Sequence, residues 1–81
     1  MTKKRTITEV LGWYGVVALL AAYGLASFGV ITASDAWFQV LNITGAVGIV
    51  ADALGQKNWQ PAVLNIVWAV IGAIALAKIV F

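Results

Sequence analysis

The chain contains no cysteine and no histidine. Without cysteine there can be no disulfide, no thiolate metal site and no cysteine nucleophile. Without histidine the commonest general base and the commonest metal ligand are both missing. The three acidic residues, Glu9, Asp35 and Asp52, are scattered along the sequence. We therefore expect a protein that is not an enzyme and that holds no metal ion and no cofactor.

Charged residues are also scarce, at 10 % of the chain against about 25 % in soluble domains. Hydrophobic residues make up 63 %, against roughly 45–50 % in soluble domains. A chain of 81 residues has too little interior to bury that much apolar surface in water, and it is long enough for one domain only. The composition therefore predicts a single domain in a lipid bilayer. The basic amino terminus is compatible with nucleic acid or with a membrane, but the long apolar run behind it favours the membrane and no nucleic acid.

Three apolar runs are long enough to be transmembrane helices, since a helix needs about 20 residues to cross a bilayer. They cover approximately residues 10–31, 36–54 and 61–80, and residues 1–9 form a basic segment before the 10–81 domain. The first run is longer than the core of a cleaved signal peptide, so we expect it to be retained. The connections are short, which makes neighbouring helices antiparallel. The predicted fold class is an all-α bundle of three transmembrane helices.

Local signals place the ends of these helices. Thr6 and Glu9 have the spacing of a capping box, which predicts a helix that begins directly after Thr6. Ser34 or Asp35 can cap the second helix. Pro61 suits the first turn of the third helix, where its missing amide proton costs nothing.

The basic residues predict the orientation, because cytoplasmic flanks of transmembrane helices are enriched in Lys and Arg. Lys3, Lys4, Arg5 and Lys57 all fall on one side of the membrane, and Lys78 alone falls on the other. This bias places the amino terminus in the cytoplasm and the carboxyl terminus outside.

Seven residues form a candidate polar cluster or solute-facing surface. They are Tyr23, Ser27, Gln39, Asn42, Asp52, Asn65 and Trp68. The helical rise places Tyr23, Ser27, Gln39 and Asn42 together in the outer half of the bundle. Asp52 falls in the inner half within a turn of Asn65 and near Trp13, and we expect it to bond one of them. Trp68 lies deeper and either packs in the bundle or lines a cavity.

Two explanations account for amides at these positions. Asn and Gln often form hydrogen bonds that join transmembrane helices. They can also contact a transported ligand. Small residues favour close packing as well: Ala18, Ala22 and Ala26 follow a small-xxx-small spacing. Gly72 and Ala73 are level with Asn42, so we expect the Asn42 side chain to lie against a smooth patch of the third helix.

Several motifs resemble a known family. The motifs are Gly12-Trp13-Tyr14-Gly15, Leu20-Ala21-Ala22-Tyr23, Ser27-Phe28-Gly29, residues 38–46 (FQVLNITGA) and Asn65-Ile66-Val67-Trp68. They are similar to those of uncharacterised small bacterial three-span integral membrane proteins of the Coxiella-hypothetical-protein type. The resemblance implies a three-span protein of the bacterial inner membrane and no established activity.

A weaker likeness is to the PQ-loop sugar half-transporters. The spacing of Asn42, Pro61 and Asn65 is similar to their second half, but the first helix has Ala21-Ala22 and no Pro-Gln pair. We expect a self-associating protein, as a homodimer joined by small and amide residues. The alternatives are a half-transporter, whose dimer forms a pathway for a small polar solute, and an accessory subunit of a larger membrane complex.

Overall fold

A computed structural model describes the backbone of residues 3–81 and the side chains from residue 6 onward. It contains three helices: α1 (Lys3–Ser27), α2 (Ala36–Gly55) and α3 (Trp59–Val80). By length and composition, all three can cross a membrane, at Thr6–Ser27, Ala36–Gly55 and Trp59–Val80. The described residues include no strand. The prediction of an all-α protein with three spans is therefore confirmed.

The ends of α1 differ from the prediction. The helix begins at Lys3, so Thr6 lies inside it and the proposed capping box does not mark its start. Residues 1 and 2 and the side chains of residues 3–5, which supply most of the predicted basic flank, lie outside the described set. At the other end the helix stops at Ser27 rather than at Ile31.

Gly29 explains why α1 stops early. Its φ of 76° is in the left-handed region, which glycine adopts without steric cost. The Gly29 amide donates to the Ala26 carbonyl at 3.1 Å, and the Val30 amide donates to the Leu25 carbonyl at 2.9 Å. These two bonds form the Schellman closure, which satisfies the last carbonyls of a helix. The apolar residues after Ser27 therefore belong to the turn.

The turn after α2 closes in the same way, but with lysine at the critical position. Lys57 has a φ of 55°, and its amide donates to the Leu54 carbonyl at 3.1 Å. The Asn58 amide donates to the Ala53 carbonyl at 2.8 Å. A residue with a Cβ pays about 1–2 kcal/mol in this conformation relative to glycine. The polar turn was predicted, and its left-handed residue was not.

The starts of α2 and α3 follow the prediction closely. Asp35 occupies the N-cap of α2, although its carboxylate makes no capping bond to the helix. It accepts a hydrogen bond from the Thr32 amide at 2.8 Å and so holds the preceding turn together. Pro61 lies in the first turn of α3, after the N-cap residue Asn58.

α2 is the central helix of the molecule. It packs against both α1 and α3, whereas no Cα atom of α1 lies within 8 Å of a Cα atom of α3 in the described part of the chain. Among the three spans it is also the least hydropathic and the most buried. The two outer helices therefore leave a gap between them on the surface of α2.

The α1–α2 interface is built from glycines. A Cβ atom added to Gly15 would collide with the backbone carbonyl of Gly45, and one added to Gly48 would collide with the carbonyl of Leu11. One turn further along α1, Ala18 is buried and would lie 3.2 Å from a Cβ on Gly45. The small residues of α1 and α2 are thus used inside one molecule, where they let two backbones approach directly.

The α2–α3 interface contains amides as well as small residues. A Cβ on Gly72 would lie 3.0 Å from Asn42 Nδ2 and 2.9 Å from a side-chain carbon of Ile43. Ala46 and Ala62 are buried completely. The expected contact between Asn42 and a smooth patch of α3 is confirmed at Gly72, whereas Ala73 is exposed.

Candidate functional site

A groove follows one side of α2, where α1 and α3 stand apart. It consists of three adjoining cavities of about 410, 290 and 200 Å³, named here the inner, middle and outer cavities. Ile49 lines both the inner and the middle cavity, and Tyr23 and Trp68 line both the middle and the outer cavity. The shared lining makes one continuous feature, which we call the α1–α3 groove.

The outer cavity brings together residues from all three helices. It is lined by Tyr23, Phe38, Gln39, Asn42, Trp68 and Ile71. The rings of Tyr23 and Phe38 meet edge to face, with centroids 6.5 Å apart and planes at 80°. Tyr23, Gln39 and Asn42 thus lie together, as their depths predicted. Ser27 is exposed and lines none of the three cavities.

The amides of α2 form a short hydrogen-bonded chain that starts at the turn before the helix. Gln39 Nε2 donates to the Ala33 carbonyl at 2.9 Å, and Asn42 Nδ2 donates to Gln39 Oε1 at 3.4 Å. Both side chains are buried. None of these bonds reaches α1 or α3.

Asn65, in the middle cavity, behaves similarly. It is only 8 % exposed, and its Nδ2 donates to the carbonyl of Pro61, one turn earlier in α3, at 2.9 Å. The amides therefore do not join the described helices of one molecule by hydrogen bonds. That they join two copies of the chain stays a prediction. In the described part of the chain their bonds stay within one helix or run to the adjacent turn, and Asn42 meets α3 only through packing on Gly72.

Unused hydrogen-bonding capacity therefore faces the groove. Neither Asn42 Oδ1 nor Asn65 Oδ1 accepts a hydrogen bond from a described residue. No fully buried side-chain nitrogen or oxygen lacks a partner in this part of the chain, so these two oxygens are open to the cavities that their residues line. The Tyr23 hydroxyl and the Trp68 indole N–H also have no hydrogen-bond partner among the described residues.

The inner cavity has a different chemistry, because two carboxylates line it. Its residues are Glu9, Gly12, Trp13, Val16, Ile49, Asp52 and Gln56. Asp52 fills the space left by Gly12, since a Cβ there would lie 2.6 Å from Asp52 Oδ2. Asp52 and Trp13 lie together as predicted, whereas Asn65 lines the next cavity and donates to Pro61. The described residues include no group of three or more acids that could hold a metal ion.

One interhelical hydrogen bond was not anticipated from the sequence. Tyr14 and Thr44 approach across the α1–α2 interface, with 2.7 Å between their hydroxyl oxygens. The Thr44 hydroxyl donates to the Val40 carbonyl at 2.8 Å, so the Tyr14 hydroxyl is the donor to Thr44. Neither residue lines the groove. Thr44 precedes Gly45 and Tyr14 precedes Gly15, so alignment of the two glycines would have revealed the pair.

Comparison with known proteins places the chain in a family. A family model matches residues 8–81, which is all but the first seven residues. No curated protein matches the chain. No solved structure matches it either, and the likeness to PQ-loop half-transporters is not shown. The match and the three apolar helices agree with the family that the sequence motifs indicated: the chain belongs to the Coxiella-named family of uncharacterised proteins, and it is a small three-span membrane protein.

Proposed function

We propose that this chain is a non-enzymatic protein of the bacterial inner membrane whose copies associate as a dimer across the α1–α3 groove. The observation that carries the proposal is the set of polar groups facing that groove. The two amide oxygens, the Tyr23 hydroxyl and the Trp68 indole lack partners in the described chain. Lipid acyl chains offer no hydrogen bonds, and each unpaired polar group in hydrocarbon costs several kcal/mol.

A second copy is the simplest cover for this groove. The small residues that commonly join membrane helices are already used between α1 and α2, at Gly15, Gly45 and Gly48. A dimer contact therefore needs a different surface. The rims of the groove are apolar and exposed on α3, at Leu64 and Ile71. Contact between these rims in two copies would bring the polar groups of the two grooves opposite one another, where they can form hydrogen bonds away from lipid.

The proposed orientation keeps the amino terminus in the cytoplasm. Lys57, in the turn between α2 and α3, is the described basic residue on that side, and Lys78 lies in the last turn of α3. Reporter fusions at Lys57 and at Phe81 test this arrangement, with the Lys57 fusion expected in the cytoplasm. A cytoplasmic signal from a fusion at Asp35 would reverse it.

Cysteine cross-linking in the membrane tests the dimer. The chain has no cysteine, so a single one can be introduced without background. Ile71 lines the groove, and Val70 is the adjacent residue, outside the groove lining. They are β-branched and similarly exposed, at 57 % and 53 %. We expect Ile71→Cys to form a covalent dimer on oxidation and Val70→Cys to stay monomeric.

Two results would count against the dimer. Equal cross-linking of both variants would indicate random collision rather than a defined interface. Cross-linking of Ile71→Cys to a different protein, without any homodimer, would favour an accessory subunit instead.

The continuity of the groove favours one second candidate, a half-transporter. The lining runs from Glu9 and Asp52 at one end to Gln39 at the other, and a dimer would enclose this path. Proteoliposomes with a panel of sugars and amino acids distinguish the two functions. Saturable uptake that is lost in Asn65→Ala, with the dimer intact, would establish transport. No uptake of any panel member by the cross-linkable dimer would leave self-association as the function.

A further inference from the structure

The middle and outer cavities carry a mixed set of hydrogen-bonding groups. Asn42 and Asn65 each use one amide hydrogen on a neighbour and keep a second amide hydrogen and a carbonyl oxygen. Both side chains are more than nine-tenths buried, at 7 % and 8 % exposure. Their oxygens are nevertheless open to the cavities. A partner for such a side chain must present a donor and an acceptor together, as another carboxamide does.

Among the described side chains, from residue 6 onward, none that lines either cavity is charged. Apart from the amides, Tyr23 and Trp68, the lining is apolar. It consists of Leu19, Ile49 and Leu64 in the middle cavity and of Phe38 and Ile71 in the outer cavity. An ion placed there would lose its hydration without gaining a counter-charge, at a large cost in free energy. The lining of these two cavities therefore favours neutral ligands over carboxylates and amines.

Aromatic rings form the wall common to both cavities. Tyr23 from α1 and Trp68 from α3 each line the middle and the outer cavity, and Phe38 meets Tyr23 edge to face. A ligand in either cavity thus contacts an aromatic ring, and aromatic surfaces pair well with other planar groups. The volumes, about 290 and 200 Å³, lie at or below the lower end of the range for drug-sized pockets, about 300 Å³. They suit a ligand with a single ring.

From these features we infer that the middle and outer cavities of the α1–α3 groove bind a small, neutral, planar ligand that carries a carboxamide or lactam group. The amide of the ligand pairs with Asn65 or Asn42, and its carbonyl oxygen accepts a hydrogen bond from the Tyr23 hydroxyl. Its ring contacts the rings of Tyr23 and Trp68. The three helices of one chain line three sides of the groove. The inference rests on the proposed function for the fourth side, which a second copy would cover.

Benzamide is a suitable probe, because close analogues change one property at a time. Benzoate has the same ring with a negative charge, and N,N-dimethylbenzamide keeps the carbonyl but lacks the N–H donors. Equilibrium dialysis of radiolabelled compounds against the full chain in lipid nanodiscs measures each affinity. We expect saturable binding of benzamide, at least tenfold weaker binding of benzoate, and binding of the dimethyl analogue weakened roughly two- to tenfold, as for loss of one neutral hydrogen bond.

Three variants locate the site. Asn65→Leu should weaken benzamide binding by tenfold or more, because it replaces the amide with an apolar group. Tyr23→Phe removes one hydroxyl that has no partner in the described chain, so the fold is retained, and binding should weaken roughly two- to tenfold. Gln60→Leu is the control, since Gln60 is an exposed polar residue of α3 outside the groove lining, and it should bind benzamide normally.

Absence of saturable benzamide binding would overturn the inference, as would equal binding of benzoate or normal affinity in both groove variants. Cross-linking of Ile71→Cys, run on the same preparations, separates this failure from that of the proposed function. A cross-linked dimer that binds no benzamide contradicts the ligand site alone. Saturable binding without a cross-linked dimer supports the ligand site and contradicts the dimer alone.

Discussion

The two interfaces of the central helix are built on different principles. Between α1 and α2, glycines allow direct contact of the backbones, as at Gly15 against Gly45 and at Gly48 against Leu11. Between α2 and α3, Gly72 instead makes room for the side chain of Asn42. The first contact is fixed by rigid backbone atoms. The second ends in a flexible amide whose remaining polar atoms can turn to a partner.

This difference indicates that the α1–α2 interface stabilises the fold, whereas the α2–α3 interface can also contact a ligand. Backbone contacts in α1 and α2 leave no hydrogen-bonding group for a ligand. The amides Asn42 and Asn65 are held by bonds within their own helices and keep an oxygen for the groove. We therefore expect substitutions in the α1–α2 interface to affect stability mainly, and substitutions of the amides to affect binding as well.

The largest expected effect comes from breaking the α1–α2 contact at Gly15. Gly15→Leu forces a bulky side chain into the carbonyl of Gly45, and overpacking of this kind destabilises by about 3 kcal/mol when the backbone must move. The free energy of unfolding in bicelles measures the loss. Gly24→Leu is the control in the same helix, because no atom lies within 4 Å of a Cβ there. Helix propensity favours leucine over glycine at both positions, so only packing can produce a loss. Equal losses in the two variants would show that the contact between Gly15 and Gly45 is not the cause.

An intermediate effect compares the same small change in both interfaces. A Cβ on Gly48 meets a backbone carbonyl, whereas a Cβ on Gly72 first meets the side chains of Ile43 and Asn42, which can shift by a few tenths of an ångström. Gly48→Ala should therefore destabilise by about 2 kcal/mol and Gly72→Ala by about 1 kcal/mol or less. The free energy of unfolding in bicelles is measured for both variants. A larger loss for Gly72→Ala would show that the α2–α3 interface, and not the α1–α2 interface, is the more rigid one.

The smallest effect concerns the hydroxyl pair of the α1–α2 interface. Tyr14→Phe removes the donor of the bond to Thr44, and hydrogen bonds between membrane helices contribute about 0.6 kcal/mol on average. Tyr23→Phe is the matched control, because the Tyr23 hydroxyl has no partner among the described residues. We expect the thermal midpoint to fall in Tyr14→Phe and to stay unchanged in Tyr23→Phe. The reverse order would mean that Tyr23, and not Tyr14, stabilises the isolated chain.

The sequence was sufficient for the three helices, the two turns and the depth of several polar residues. Apolar length is a strong signal in a bilayer, and the 1.5 Å rise per residue placed Asn42 correctly beside Gly72. The early end of α1 was missed because the residues after Ser27 are apolar as well. Gly29 is the residue that ends the helix, but the apolar residues around it made the run look continuous.

The position of α2 between its neighbours could not be predicted. All three helices are apolar around most of their circumference, so no face of the sequence indicates which helix packs against which. The hydrogen-bond partners of the amides could not be predicted either, because a carboxamide can bond a residue of its own helix or of a neighbouring helix with equal ease. Asn65 was expected near Asp52, and its bond to the Pro61 carbonyl appears only in the structure.

The central position of α2 also bears on how the chain assembles. Because α1 and α3 do not meet in the described part, every close helix–helix contact joins elements that are consecutive in the sequence. Each packed pair is therefore a helical hairpin with a short connection, and the α1–α2 pair forms without any contact from α3. Assembly can thus follow synthesis, with α1 and α2 forming a hairpin before α3 is complete. In that order α2, the least hydropathic span, would pack against the glycines of α1 before α3 is added.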